Sequence, residues 1–165
     1  MRHIALAIAL ATVASASQAQ APGWNMYEAE GQTAQAFVAG TNGAQLIIKC
    51  DRTGQFSTYA VIATGTKLAM ASQGRYETRP VKLRYDDGTA IEDTWRFNDE
   101  FATAFDDRSQ RTMTRFIQKL LTASKLDVQL EPFRQAAFMA SFQVANSKEA
   151  ISKVYASCKD KMPAS

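Results

Sequence analysis

Histidine is almost missing from this chain of 165 residues, which has one, His3. His3 lies inside a segment expected to be removed, so the working protein is expected to carry no imidazole. That excludes a Ser-His-Asp or Cys-His catalytic arrangement and a histidine-ligated zinc or iron site. Cysteine is scarce as well: Cys50 and Cys158 are the only two, and no C-x-x-C spacing points to redox exchange. Beyond the first twenty residues no apolar run approaches the ~20 residues that a membrane-spanning helix needs. Also absent are a Gly-rich phosphate loop, EF-hand spacing, an RNP-like aromatic motif and internal repeats. Lys+Arg 19 against Asp+Glu 16 gives +3, too small an excess to imply nucleic acid. No cofactor and no metal is expected.

What remains has the composition of an ordinary globular domain, 46% hydrophobic and 21% charged. Arg2 and His3 open the chain, Ile4 to Val13 follow as an apolar run, and Ala14 to Ala19 are small or polar residues. This is the n-region, h-region and cleavage site of a secretory signal. Residues 1–19 are expected to be a signal peptide, with Ser17 and Ala19 at the small positions before the cut. Residues 20–165 are then a single domain, expected to be soluble in the periplasm. With no Cys after the h-region, an amino-terminal lipid anchor is not expected.

In an oxidising compartment two cysteines favour a disulfide. Cys50 ends the strand-like run Leu46-Ile47-Ile48-Lys49, on the face of Leu46 and Ile48. Cys158 sits on an apolar stripe with Ile151, Val154 and Tyr155. Both sulfurs point to a core, and a loop of this length stabilises by about 4–5 kcal/mol in the chain-entropy model.

Period-two alternation and turn residues predict strands at Thr33 to Ala39, Gln45 to Cys50, Phe56 to Ala63, Val81 to Tyr85, Ala90 to Phe97, Leu126 to Leu130 and Ala136 to Val144. A short strand around Leu68 and Met70 is a further expectation. Thr41-Asn42-Gly43, Asp51-Arg52-Thr53-Gly54 and Asp86-Asp87-Gly88 supply turns. A helix capped by Asp106 or Asp107 is expected from about Arg108 to Ser124, burying Met113, Phe116, Ile117, Leu120 and Leu121. A second starts near Asn146, with Glu149 in capping-box position. The expected fold is α+β: mainly antiparallel β-sheet with two packed helices, the C-terminal one tied to the sheet through Cys50–Cys158.

Acidic residues crowd one stretch: Asp86, Asp87, Glu92, Asp93, Asp99, Glu100, Asp106 and Asp107, with Arg96 among them. Two of them could form a glycosidase pair or a cation site, but turn and cap chemistry explains Asp86, Asp87, Asp106 and Asp107. No catalytic residue is assigned. Arg108, Arg111, Arg115 and Lys119 share one helical face, which is either a docking surface for phosphate, anionic lipid or an acidic partner, or a solvated face partly neutralised by the acidic stretch before it. Trp95 and Phe97 share a strand face and are expected in the core. Trp24 and Tyr27 pack at an edge or anchor a partner.

The order of these features resembles the exported TagO or VasI-like family associated with type VI secretion. The residues that carry the resemblance are the strand ending in Cys50, Val81 to Gly88 followed by Trp95, then Phe116, Leu120 and Leu121. Leu126 to Pro132, Phe138 to Phe142 and the helix bearing Ala150, Ile151, Val154 and Cys158 complete it. The resemblance implies a small accessory protein without established enzyme chemistry, and the expected partner is another envelope or periplasmic protein. Lys49-Cys50-Asp51 with Gly54 is also similar to the opening strand of periplasmic lysozyme inhibitors, and Ser72-Gln73-Gly74-Arg75-Tyr76 is a loose echo of their inhibitory loop. The three functional readings are therefore a periplasmic binding protein, a lysozyme inhibitor, and a carboxylate-based wall hydrolase. Alkylation followed by intact mass measurement of exported protein is expected to find no free thiol until a reductant is added. Two modified cysteines without reductant would refute the bond.

Overall fold

A computed structural model describes residues 23–30, 33–50, 58–70, 75–107 and 109–164. The signal segment, the Asp51 to Gly54 turn, Phe56 and Ser57 of the expected strand, Ser72 to Gly74, and Arg108 lie outside the described residues. Alternating side chains build most of the strands. In β3 (Gln45–Cys50) Leu46, Ile48 and Cys50 are buried, and in β8 (Lys125–Leu130) Leu126, Val128 and Leu130 are. Their neighbours Lys49, Lys125 and Asp127 turn the other way, as a two-residue period requires. The remaining strands are β1 (Asn25–Tyr27), β2 (Gln35–Ala39), β4 (Thr58–Ala63), β5 (Glu77–Tyr85), β6 (Ile91–Asn98), β7 (Phe101–Ala104) and β9 (Phe138–Gln143). Two helices, α1 (Thr112–Leu120) and α2 (Ser147–Cys158), complete the element list.

Among the described residues nine strands lie in one sheet, in the order β1-β2-β3-β4-β7-β6-β5-β8-β9, and every pairing is antiparallel. The fold is α+β and mainly sheet, as expected. The sheet curls until its ends meet. Asn42 Nδ2 donates to the Met139 carbonyl at 2.8 Å, Ser141 N donates to Thr41 Oγ1 at 2.9 Å, and Gly40 bridges to Phe142. The β2–β3 turn thus covers the outer edge of β9, which would otherwise present unpaired backbone. The same turn adopts left-handed dihedrals at Asn42 (φ 57°) and Gly43 (φ 73°), the conformation that Asn-Gly favours between paired strands.

Both helices fill the concave face. Met113, Phe116, Ile117 and Leu120 of α1 meet Trp95 and Phe97, with Trp95 and Phe116 edge-on at 5.2 Å. α2 lies across β2, β3 and β4 and buries Ala150, Ile151, Val154 and Tyr155. The Cys50–Cys158 disulfide ties its end to β3, with the two Cα atoms 5.5 Å apart. Ser147 Oγ donates to the Leu120 carbonyl at 3.2 Å, joining the two helices. Among the described residues no helix is long and apolar enough to cross a membrane.

Several elements differ from the sequence expectation, each for a local reason. No strand forms around Leu68 and Met70. The amides of Leu68 and Ala69 donate instead to the Asp99 carbonyl, at 2.6 and 3.1 Å, which buries both residues and leaves Met70 73% exposed. β5 begins at Glu77, four residues early, because β6 pairs with it as far as Phe97. Pro80 is tolerated in mid-strand because it lies one residue past the last pair with β8, Val81–Leu130. β1 and β7, too short to show a period, were not expected from the pattern.

α1 is shorter than the expected Arg108 to Ser124. Asp107 Oδ1 accepts the amides of Ser109 and Gln110, both at 2.8 Å, and holds that stretch in a turn. Asp106 Oδ1 then accepts the Thr114 amide at 3.0 Å, satisfying a donor of the first helical turn. At the far end Asp86 Oδ1 accepts the Ser124 and Lys125 amides, each at 2.9 Å. The capping box of α2 does not form. Asn146 is left-handed (φ 59°, ψ 27°), its side chain makes no cap bond, and Glu149 pairs forward with Lys153 at 2.8 Å. An N-cap side chain reaches the first amides from an extended backbone, which Asn146 lacks.

Two outcomes follow from this packing. A Cβ at Gly40 would stand 2.5 Å from the Phe142 ring and 3.0 Å from the Ser141 carbonyl. Gly40→Ala is therefore expected to destabilise by about 1–3 kcal/mol, read as a lower midpoint in thermal denaturation. An unchanged midpoint would mean that the closure has slack. On the convex face Asp127 is partly buried, which by itself would raise its carboxyl. Hydrogen bonds from Ser141, Arg84 and Lys125 outweigh that and hold it at about 2. A depressed carboxylate stabilises above its ordinary value and loses that contribution as pH falls through the folded one. Between about pH 4 and pH 2 the native chain is expected to lose on the order of 1–2 kcal/mol more than Asp127→Asn, measured by urea titrations across that range.

Candidate functional site

The expected basic face of α1 is not one continuous surface. Arg108 lies outside the described residues. Arg111 precedes the helix, with φ −106° and ψ 47°, and bridges through its backbone to Asp106. Arg115 reaches back to β6 and pairs with Asp93 at 3.1 Å. Lys119, in the last turn, is exposed. The start of the helix and its end are thus separated by an arginine that an acid of the sheet already holds.

The acidic stretch is similarly divided. Asp86 closes the β5–β6 turn and receives Ser124 and Lys125, while Asp93 holds Arg115. Both Asp106 oxygens serve Thr114, through its amide and its hydroxyl. The Asp107 carboxyl is held below the usual range by the backbone amides of Ser109 and Gln110. Arg96 lies on the convex face between the Tyr76 and Phe105 rings, 4.1 and 3.6 Å from their centres, and 3.9 Å from Asp107. A shallow hollow of about 110 Å³ lies beside it, lined in part by Thr78, Thr94 and Thr103. Trp95 and Phe97 are in the core as expected. Trp24 is half-buried against it and donates from Nε1 to the Val144 carbonyl at 3.1 Å, while Tyr27 on the edge strand is exposed.

A larger cleft, about 560 Å³, opens where α1 begins and α2 ends. Thr58 of β4, Asp106, Arg111, Met113 and Thr114 line one part of it. Tyr155 and residues 160–164 line the other. The disulfide positions these parts, since Cys50 is the register partner of Thr58 and Cys158 lies one turn beyond Tyr155. Gln118 Nε2 donates to the Ala164 carbonyl at 3.1 Å, drawing the final segment across α1. Burial first, and then the carboxylates of Asp160 and Asp106, push the Tyr155 phenol far above its ordinary range, so it remains a hydroxyl. The Thr58 hydroxyl is buried without a hydrogen-bond partner among the described residues.

A family model matches residues 23–151, from the residue before Trp24 to the second turn of α2. The chain belongs to the YfjT family. No curated protein and no solved structure matches it. The YfjT match covers every strand and α1, and with them Thr58, Asp106 and Arg111. Tyr155, Cys158 and the 160–164 segment lie past the matched span, so one wall of the cleft falls outside it.

Sequence reasoning singled out Asp106 and Arg111 for other reasons and missed the cleft itself. Thr58, Tyr155 and Lys161 carry no motif, and they meet Arg111 only because the sheet curls and the disulfide closes. The one available signal was the Cys50–Cys158 pairing, which brings the two ends of the chain's core together.

Proposed function

We propose that this YfjT-family protein is an exported, non-enzymatic binding protein of the cell envelope, acting on another envelope protein in the periplasm. The observation that carries the reading is the Cys50–Cys158 bond, which joins residues 108 positions apart. Such bonds persist in oxidising compartments and are rare where thiols are kept reduced. It agrees with the signal-like residues 1–19 that precede the domain. The binding surface in this reading is the exposed side of α1, with Arg111 at its start and Lys119 at its end. An accessory role at a secretion apparatus is the finer form of the proposal. Its support is the order of strand, cysteine and helix features shared with the TagO or VasI-like pattern.

Cross-linking of tagged protein in intact periplasm, followed by affinity recovery and mass spectrometry, tests this reading. A defined envelope protein is expected in the recovered material, and Lys119→Glu is expected to reduce its yield several-fold. Secretion components among the captured proteins would support the finer form. Recovery of the tagged protein alone, or its presence only in the cytoplasmic fraction, would overturn the proposal.

A further inference from the structure

The cleft at the junction of α1, α2 and β4 has a chemistry that a protein-docking surface does not need. Arg111 and Lys161 both line it, and neither makes an ion pair with any of the described residues. Thr58 is only 6% exposed, yet its hydroxyl has no partner among the described residues, although buried polar groups are normally satisfied. The Tyr155 hydroxyl likewise has no hydrogen bond among the described residues, and Tyr155 lines the same cleft. Opposite charge is present too. Asp106 is committed to Thr114, but among the described residues Asp160 accepts only the amide of Lys161, at 2.8 Å, and keeps acceptor capacity.

The cleft therefore offers two unpaired cations, two unpartnered hydroxyls and one under-used carboxylate within about 560 Å³. That volume lies in the range of small-ligand sites, ~300–1,000 Å³. A purely anionic ligand would leave the Asp160 carboxylate opposed, and an apolar one would leave every polar group unsatisfied. A molecule with a carboxylate at one end, an ammonium at the other and amide groups between them meets all of these groups. We propose that the cleft binds a short peptide with free ends. Its carboxylate lies at Arg111 and Lys161, its ammonium at Asp160, and its amides against Thr58 and Tyr155. This site shares Arg111 with the start of the α1 docking surface but not Lys119, and it does not depend on where the protein resides.

Calorimetric titration of the full, oxidised protein with trialanine tests it, alongside N-acetyl-trialanine and trialanine amide. Saturable binding of the free peptide is expected, roughly tenfold weaker when either end is blocked, the loss of one charge-assisted contact. Lys161→Gln and Arg111→Gln should each weaken free trialanine by roughly tenfold and have less effect on the amide. Thr58→Val should weaken binding several-fold while the thermal midpoint is kept or rises, because an unpaired buried hydroxyl has been removed. A merely structural threonine would lose stability instead. Absence of saturable binding at millimolar trialanine, equal affinity for the blocked peptides, or full affinity in Lys161→Gln would each overturn the assignment. Lys119→Glu lies outside the cleft and should leave trialanine binding unchanged, so loss of the partner and loss of the peptide can be told apart.

Discussion

The structure depends on one contact, the approach of Gly40 to the Phe142 ring where the sheet curls back on itself. A nine-stranded antiparallel sheet with one apolar face must cover that face. Here it bends around two short helices. Closure at Gly40 lets α1 and α2 sit against β6 on one side and β2 to β4 on the other, with Trp95 and Phe116 between them. A side chain at position 40 would hold the two ends apart, and the helices would lose part of the wall they pack on. The core is thus shared by elements distant in sequence, each burying only a few large residues.

The disulfide works on the outside of that closure. It joins the end of β3 to the end of α2, two elements far apart along the chain, and so brings Thr58 and Tyr155 to one cleft. Stability and site are therefore linked. The bond that limits the freedom of the unfolded chain also holds together the elements that form the two walls. Arg111 enters the same cleft because Asp106 and Asp107 delay the start of α1. Had the helix begun at Arg108, Arg111 would have turned on its surface. Polar side chains competing for backbone amides decided where a cation sits.

Much of the fold could be read from periodicity. β3, β8 and the apolar stripe of α1 have patterns that tolerate one orientation only, because a shift by one residue would send Leu46 and Ile48, or Leu126 and Val128, into water. The paired cysteines on inward faces were readable for the same reason. Other local signals pointed the wrong way. Asn146 and Glu149 have the spacing of a capping box, yet the entry of α2 from β9 imposes a left-handed Asn146. Leu68 and Met70 alternate like a strand, yet the Asp99 carbonyl captures the Leu68 and Ala69 amides first. At Leu68 a long-range contact overrode a short-range preference, and at Asn146 the local backbone did. Arg115 was readable as a surface cation, but the sequence holds no sign that Asp93, twenty-two residues earlier, faces it.

The sequence by itself determined which faces are apolar, where the hairpin turns lie, and that two inward cysteines are available to pair, because these rest on spacing and on single-residue chemistry. Only the tertiary structure decided the strand order, the curling of the sheet and the gathering of Thr58, Arg111, Tyr155, Asp160 and Lys161 into one cleft. They come from three separate stretches of the chain, β4, the start of α1 and the end of α2 with the residues after it. Their meeting follows from how a large one-faced sheet buries two helices, and no local pattern encodes that geometry.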